Sequence, residues 1–265
     1  MVKILSSFFF LLLCEILFIF PGGIVFEILR TTIPALNENA IYLIAFLFSA
    51  LCLFLCLKVF FPEIFLKIIG LLEVNRFSIY LLITLFFLAG LLYSIIVILG
   101  IKLGLVGPKT SIEDTSLVNL ILLSLAALFC SAVEEIFFRG AALSFILRRV
   151  KPWASILLIS TVFSLGHLQY TGIILYLSAF IFSVLAAILV IKTKSLYGAI
   201  GLHCGWNFAY SMFNLYFDFS IKPIPNWGST FEVLEIGVFL VILFSVIVWS
   251  YQPFFGNRPT NISTC

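Results

Sequence analysis

SLVNLILLSLAALFCSAVEEIFFRGAALSFILRR, residues 116–149, is the stretch on which the reading of this chain turns. From Leu117 to Val133 it carries no charge. A bilayer span needs about 20 predominantly apolar residues, and this run continues apolar to Leu147 except for Glu134, Glu135 and Arg139 near its middle. An ionisable group in hydrocarbon costs at least about 2.5–3.5 kcal/mol on insertion scales, so these three are functional candidates from the outset. The tail FILRR is amphipathic and brings the helix back to water.

Outward from that stretch the composition agrees. Of the 265 residues, 63% are hydrophobic and only 10% are charged, against about 25% charged in a typical soluble domain. So few charges cannot cover a water-facing surface, which excludes a soluble enzyme, a nucleic-acid binder and a disordered chain. The expected fold is all-α: a polytopic transmembrane helical bundle of about eight spans, at 4–20, 39–61, 77–101, 117–148, 152–168, 173–191, 196–217 and 231–251. All nine prolines fall outside those interiors, as helical hydrogen bonding requires. The N-terminus resembles a signal peptide, but Glu15 interrupts its apolar run and no cleavage site follows, so it reads as a first span. Residues 1–116 hold three N-terminal spans, 117–217 a four-span core, and 218–265 a last span and tail, together one integrated membrane domain.

Lys3, Lys58, Lys67, Arg76, Arg148, Arg149, Lys151, Lys192, Lys194 and Arg258 fall on one side of these spans, and Arg30, Lys102, Lys109 and Lys222 on the other. That bias places both termini in the cytoplasm, a bacterial cell membrane being the expected setting. The six cysteines show no CxxC pair and read as small apolar residues. The sequon at Asn261 lies on the cytoplasmic side and is discounted.

The ionisable and amide groups singled out inside spans are Glu15, Glu134, Glu135, Arg139, His167, His203 and Asn207. Glu15 reads as structural. Glu135 and Arg139 are i and i+4, on one helical face, and can pair. Glu134 is rotated about 100° away and points to a neighbour. His203 and Asn207 also share a face, and Gly201 and Gly205 flank that histidine in a small-xxx-small pattern suited to close helix approach. At 1.5 Å per residue, Glu134 is about 21 Å from Arg148, His167 about 24 Å from Lys151, and His203 about 13 Å beyond Lys194. All three fall mid-membrane and could meet around one cavity. Phe163, one turn before His167, reads as packing.

EEIFFR, FSLGH and HCGWN, in that order, resemble the EExxxR, FxxxH and HxxxN motifs of the CPBP family, also called the Abi or type II CAAX prenyl protease family. The resemblance covers roughly 117–217 and implies an intramembrane endopeptidase of CAAX-processing type with a cavity open to the cytoplasm. By position it implies that Glu134 and His167 activate the attacking water, that His203 and Asn207 stabilise the oxyanion, and that Glu135 and Arg139 orient the site. Two versions stay open: a metal-free enzyme without cofactor, or Zn²⁺ held by Glu134, His167 and His203 with a bound water as nucleophile. The expected partners are a hydrophobic or lipid-modified peptide or protein substrate and membrane lipid, with no nucleic acid. Rival readings are a transporter using Glu134 and the histidines as a proton relay, and a non-catalytic membrane immunity protein.

Overall fold

The computed structural model describes residues 22–109, 116–167, 172–219, 223–224 and 228–254. The expected span at 4–20, with Cys14 and Glu15, lies outside these residues, as do the sequon at Asn261 and Cys265. Helix α1 covers 22–32. It is followed by α2 (Glu38–Phe60), α3 (Pro62–Leu71), α4 (Arg76–Lys102) and α5 (Leu117–Glu135). A π-helical segment, Ile136–Ala142, carries the chain into α6 (Leu143–Leu147). Then come α7 (Pro152–Leu165), α8 (Ile173–Thr193), α9 (Tyr197–Asn214) and α10 (Thr230–Phe254). Two antiparallel ladders of two residues each lie at one end of the bundle: β1 (Gly107–Pro108) with β2 (Phe217–Asp218), and β3 (Pro223–Ile224) with β4 (Gly228–Ser229). The chain is all-α in character.

Local chemistry sets the helix starts. Asn37, Asn75 and Ser116 each accept a backbone N–H of the first turn that has no helical partner. Pro62 and Pro152 open α3 and α7, where a missing N–H costs nothing. Ser229 and Glu232 form a reciprocal capping box on α10: the Ser229 N–H donates to Glu232 Oε2 at 2.9 Å, and the Glu232 N–H donates to Ser229 Oγ at 3.3 Å.

Among the described residues, four helices are long and apolar enough to cross a membrane: Glu38–Phe60, Arg76–Lys102, the continuous Leu117–Leu147, and Ile173–Thr193. They match the expected spans at 39–61, 77–101, 117–148 and 173–191. The expected span at 152–168 is a helix of 14 residues, Pro152–Leu165, shorter than a bilayer crossing requires. Helix α9 has 18 residues and is the polar, glycine-rich one. Helix α10 runs on through Pro253, past the expected end at 251. Two helices lie where the sequence reading has connections, at 22–32 and Pro62–Leu71. The second buries Ile64 and Ile68 against the π-helical segment, where Ile68 backs Gly140.

Helix α9 forms the centre of the bundle, packed by α4, α5 and α8. A Cβ at Gly201 would collide with the Leu82 carbonyl oxygen of α4, and a Cβ at Gly205 with that of Phe86. The small-xxx-small face therefore lies directly on the α4 backbone, and every other α9 side chain takes its depth from that contact. Helix α4 divides by exposure rather than polarity: Ala89, Tyr93, Ile96 and Val97 are buried, whereas Tyr80, Phe87 and Leu91 are exposed. An apolar exterior of that kind suits lipid. Gly205→Ala should destabilise the protein by about 1–3 kcal/mol, because the backbone oxygen it meets cannot swing aside. Gly237→Ala in α10, with open space around it, should be neutral or stabilising by up to about 1 kcal/mol. Thermal unfolding of both variants in detergent checks the contrast.

Candidate functional site

The centre of the site is a carboxylate that water does not reach. Glu135 and Arg139 are both 0% exposed. Arg139 Nη1 donates to Glu135 Oε1 at 3.0 Å, and His203 Nδ1 lies 2.7 Å from the same oxygen. A carboxylate has no proton to give, so Nδ1 of His203 carries it. That assignment leaves Nε2 as the edge turned to Glu134, whose Oε2 lies 3.9 Å away. The gap is too long for a direct hydrogen bond, but a water about 2.8 Å from each atom would touch both.

The π-helical segment begins directly after Glu135. Such segments are rare and recur at functional sites. The i, i+4 pairing of Glu135 with Arg139 survives the wider turn, while the guanidinium is directed inward. Its carbon lies 4.4 Å from the Phe163 ring centroid, 5.9 Å from that of Phe138 and 6.0 Å from that of Phe182. Buried cation–π contacts of this kind partly replace the water that Arg139 has lost. Its Nε and Nη2 have no hydrogen-bond acceptor among the described residues. Phe163 thus does more than fill space. Its ring also stands 4.7 Å from His167 and 6.1 Å from His203.

His167 follows the end of α7. Its Nδ1 lies 2.8 Å from the Phe163 carbonyl oxygen, which can only accept, so this nitrogen too carries the proton. Asn207, one turn after His203 in α9, donates from Nδ2 to Ser131 Oγ at 3.0 Å, and the Ser131 hydroxyl donates in turn to the Ala127 carbonyl oxygen at 2.7 Å. This chain orients the amide and leaves it a second N–H.

These groups border one cavity of about 780 Å³ between α5, α7, α8, α9 and α10. Glu134, His167, His203 and Asn207 line it, whereas Glu135 and Arg139 stand behind them and are absent from the wall. Of the residues expected from sequence, only Glu15 lies outside the described residues. Ser131 and Phe182 join the site without a sequence motif to announce them, Phe182 packing its ring 4.8 Å from His203. Glu232 and Glu235 of α10 also line the cavity and are missing from the set drawn from the sequence. Their signal was available, since both fall inside the expected span at 231–251.

No three His, Cys, Asp or Glu side chains stand close enough to hold a metal ion among the described residues. The alternative zinc set of Glu134, His167 and His203 therefore does not meet as three ligands in this geometry. Cys52, Cys56, Cys130 and Cys204 are free thiols.

The cavity wall runs from Glu134 and His203 to Asn214, Asp218 and Glu232, where α9 ends and α10 begins. Arg148, Arg149, Lys151, Lys192 and Lys194 lie at the opposite helix ends. A cavity open to the cytoplasm and cytoplasmic basic loops thus call for opposite ends of this bundle.

Residues 116–209 match the family model described as Type II CAAX prenyl endopeptidase Rce1-like. The matched segment begins at the N-cap of α5 and ends two residues beyond Asn207, so it holds every cavity-lining group of the three motifs. No curated protein matches the chain.

Proposed function

We propose that this chain is an intramembrane endopeptidase that hydrolyses peptide bonds of membrane-associated substrates with a water activated by Glu134 and His167. The observation that carries this reading is the pairing across the cavity of Glu134 Oε2 and His203 Nε2, 3.9 Å apart, with His203 locked from behind by Glu135. The water, its other hydrogen accepted by His167 Nε2, gives a proton to Glu134 as its oxygen bonds to the scissile carbonyl carbon. Asn207 donates its remaining N–H to the oxyanion, and His203 donates Nε2–H there once its ring has taken a second proton from solvent, before the attack. The C–N bond then breaks, and the proton held by Glu134 goes to the departing amine. Glu135 and Arg139 position His203 and touch no substrate. The hydrophobic or lipid-modified character of the substrate rests on the apolar surroundings of the cavity.

Glu134→Ala, His167→Ala and His203→Ala are each expected to lower kcat by about 10²–10⁴ with expression preserved. Asn207→Ala should lower kcat by about 10²–10³ with little change in KM. Cleavage of a membrane-inserted reporter peptide by purified protein reads all four, and unchanged turnover in the Glu134 variant would end this reading.

We propose a metal-free reaction. Exhaustive chelation should leave turnover intact with less than stoichiometric zinc by elemental analysis, whereas activity lost on chelation and restored by Zn²⁺ would decide for the metal version. We further propose, from the charge bias, cytoplasmic basic loops and a cavity mouth on the other face. A cysteine placed at exposed Tyr216 should then react with an impermeant maleimide added outside intact cells, and one at Arg148 should not; the reverse pattern inverts the topology.

A further inference from the structure

Along the described part of α10 the buried face repeats every four residues: Phe231 at 2% exposure, Glu235 at 7% and Phe239 at 2%. A carboxylate thus occupies the middle of an aromatic stripe. Glu232, three residues earlier, has a structural explanation in the capping box with Ser229. Glu235 has none, since it makes no hydrogen bond and no ion pair among the described residues. It is nevertheless more than nine-tenths buried and borders the cavity that holds Glu134 and His203. Burying an unpaired carboxyl is costly in its charged form, and such a group in the wall of a membrane-embedded cavity is by default a functional candidate with a partner to be named.

The surroundings specify what that would be. Tyr93 and Tyr210 are the electrostatic neighbours of Glu235 besides Glu232. Phe219 packs on Phe231 at 4.7 Å, and Trp206 packs on Phe239 at 4.4 Å, so aromatic rings flank the carboxylate on both sides. The cavity wall also carries Glu134, Glu232 and Asp218, and no Lys or Arg among the described residues. A carboxylate set among aromatic faces is a receptor for an organic cation.

We propose that Glu235 and its flanking rings form a substrate subsite for a primary ammonium or guanidinium group, the side chain of a Lys or Arg about three residues from the bond that is cut. The spacing follows from α9. Tyr210 is seven residues beyond His203, about 10 Å along the axis, and an extended peptide advances about 3.3 Å per residue. The subsite rests on the peptidase reading for its role, but its ligand chemistry can be tested without catalysis.

The probes are dodecanoyl-lysine methylamide and its 2-aminoheptanoyl counterpart, whose side chains each have five heavy atoms and differ in charge. Equilibrium binding to the full chain in neutral-lipid nanodiscs, corrected with empty nanodiscs, should favour the lysine probe by about tenfold or more. Glu235→Gln should reduce that ratio to about one, and Glu235→Asp should keep most of it. If the Gln variant fails to fold, Glu235→Met restores an apolar stripe and carries the same readout. Glu134→Gln, outside the subsite, should keep the full ratio. Equal binding of the two probes by the wild type, or a ratio that survives loss of the Glu235 charge, overturns the subsite. A lysine preference in a wild type that cleaves no peptide would retire the peptidase reading and leave the subsite standing.

Discussion

The site depends on the Glu135 carboxylate. Sealed from water, it accepts from Arg139 on its own helix and from His203 of α9 through the same oxygen. Losing either donor would leave a buried charge short of a partner, a deficit of about 3–5 kcal/mol where one member of such a pair is removed. Its other oxygen has no hydrogen-bond partner among the described residues, so the two donors to Oε1 carry the whole pairing. It fixes which nitrogen of His203 holds the proton and which edge faces Glu134, and it holds the guanidinium against the Phe163 ring. Phe163 in turn accepts from His167 through its backbone carbonyl. One buried oxygen thereby coordinates groups from the α5–π segment, α7 and α9.

That arrangement requires α9 at the right depth, which Gly201 and Gly205 provide by resting on the α4 backbone. Helix α4 contributes no cavity-lining side chain. Its part is to fix the translation and rotation of the helix that carries His203, Asn207 and Tyr210. The opposite side of the cavity is built by α8 and α10, where Phe182 and Phe239 meet at 5.8 Å. Helix α9 thus carries His203 and Asn207, α5 carries Glu134 and α7 leads into His167, while α4, α8 and α10 supply register and walls.

Much of this was legible in the chain because it is local. The pairing of Glu135 with Arg139, the divergence of Glu134, and the shared face of His203 and Asn207 follow from spacing within one helix. The small-xxx-small face announced a close helix contact. Other features were hidden because they are not local. The π-helical turn has no spacing rule of its own, and it follows a stretch that reads as ordinary α-helix. Ser131 looks like a serine back-bonded within its helix, and its contact with Asn207 spans 76 positions. Glu235 belongs to none of the three motifs, and its place in the cavity wall depends on how α10 packs against α8. The helices at 22–32 and Pro62–Leu71 are shorter than a bilayer crossing, so hydropathy over a span length does not mark them.

By itself the sequence determined a membrane-embedded helical chain, the extent of four apolar crossings, and which polar groups share a helical face. These are properties of the solvent each residue prefers and of a fixed rise and rotation per residue. Only the tertiary structure decided that His203 bonds Glu135 and faces Glu134, that Arg139 is enclosed by three phenylalanines, and that a carboxylate from the last helix borders the same cavity. Those relations depend on how far each helix slides and turns against its neighbours, which is set by side-chain packing between segments far apart in the chain.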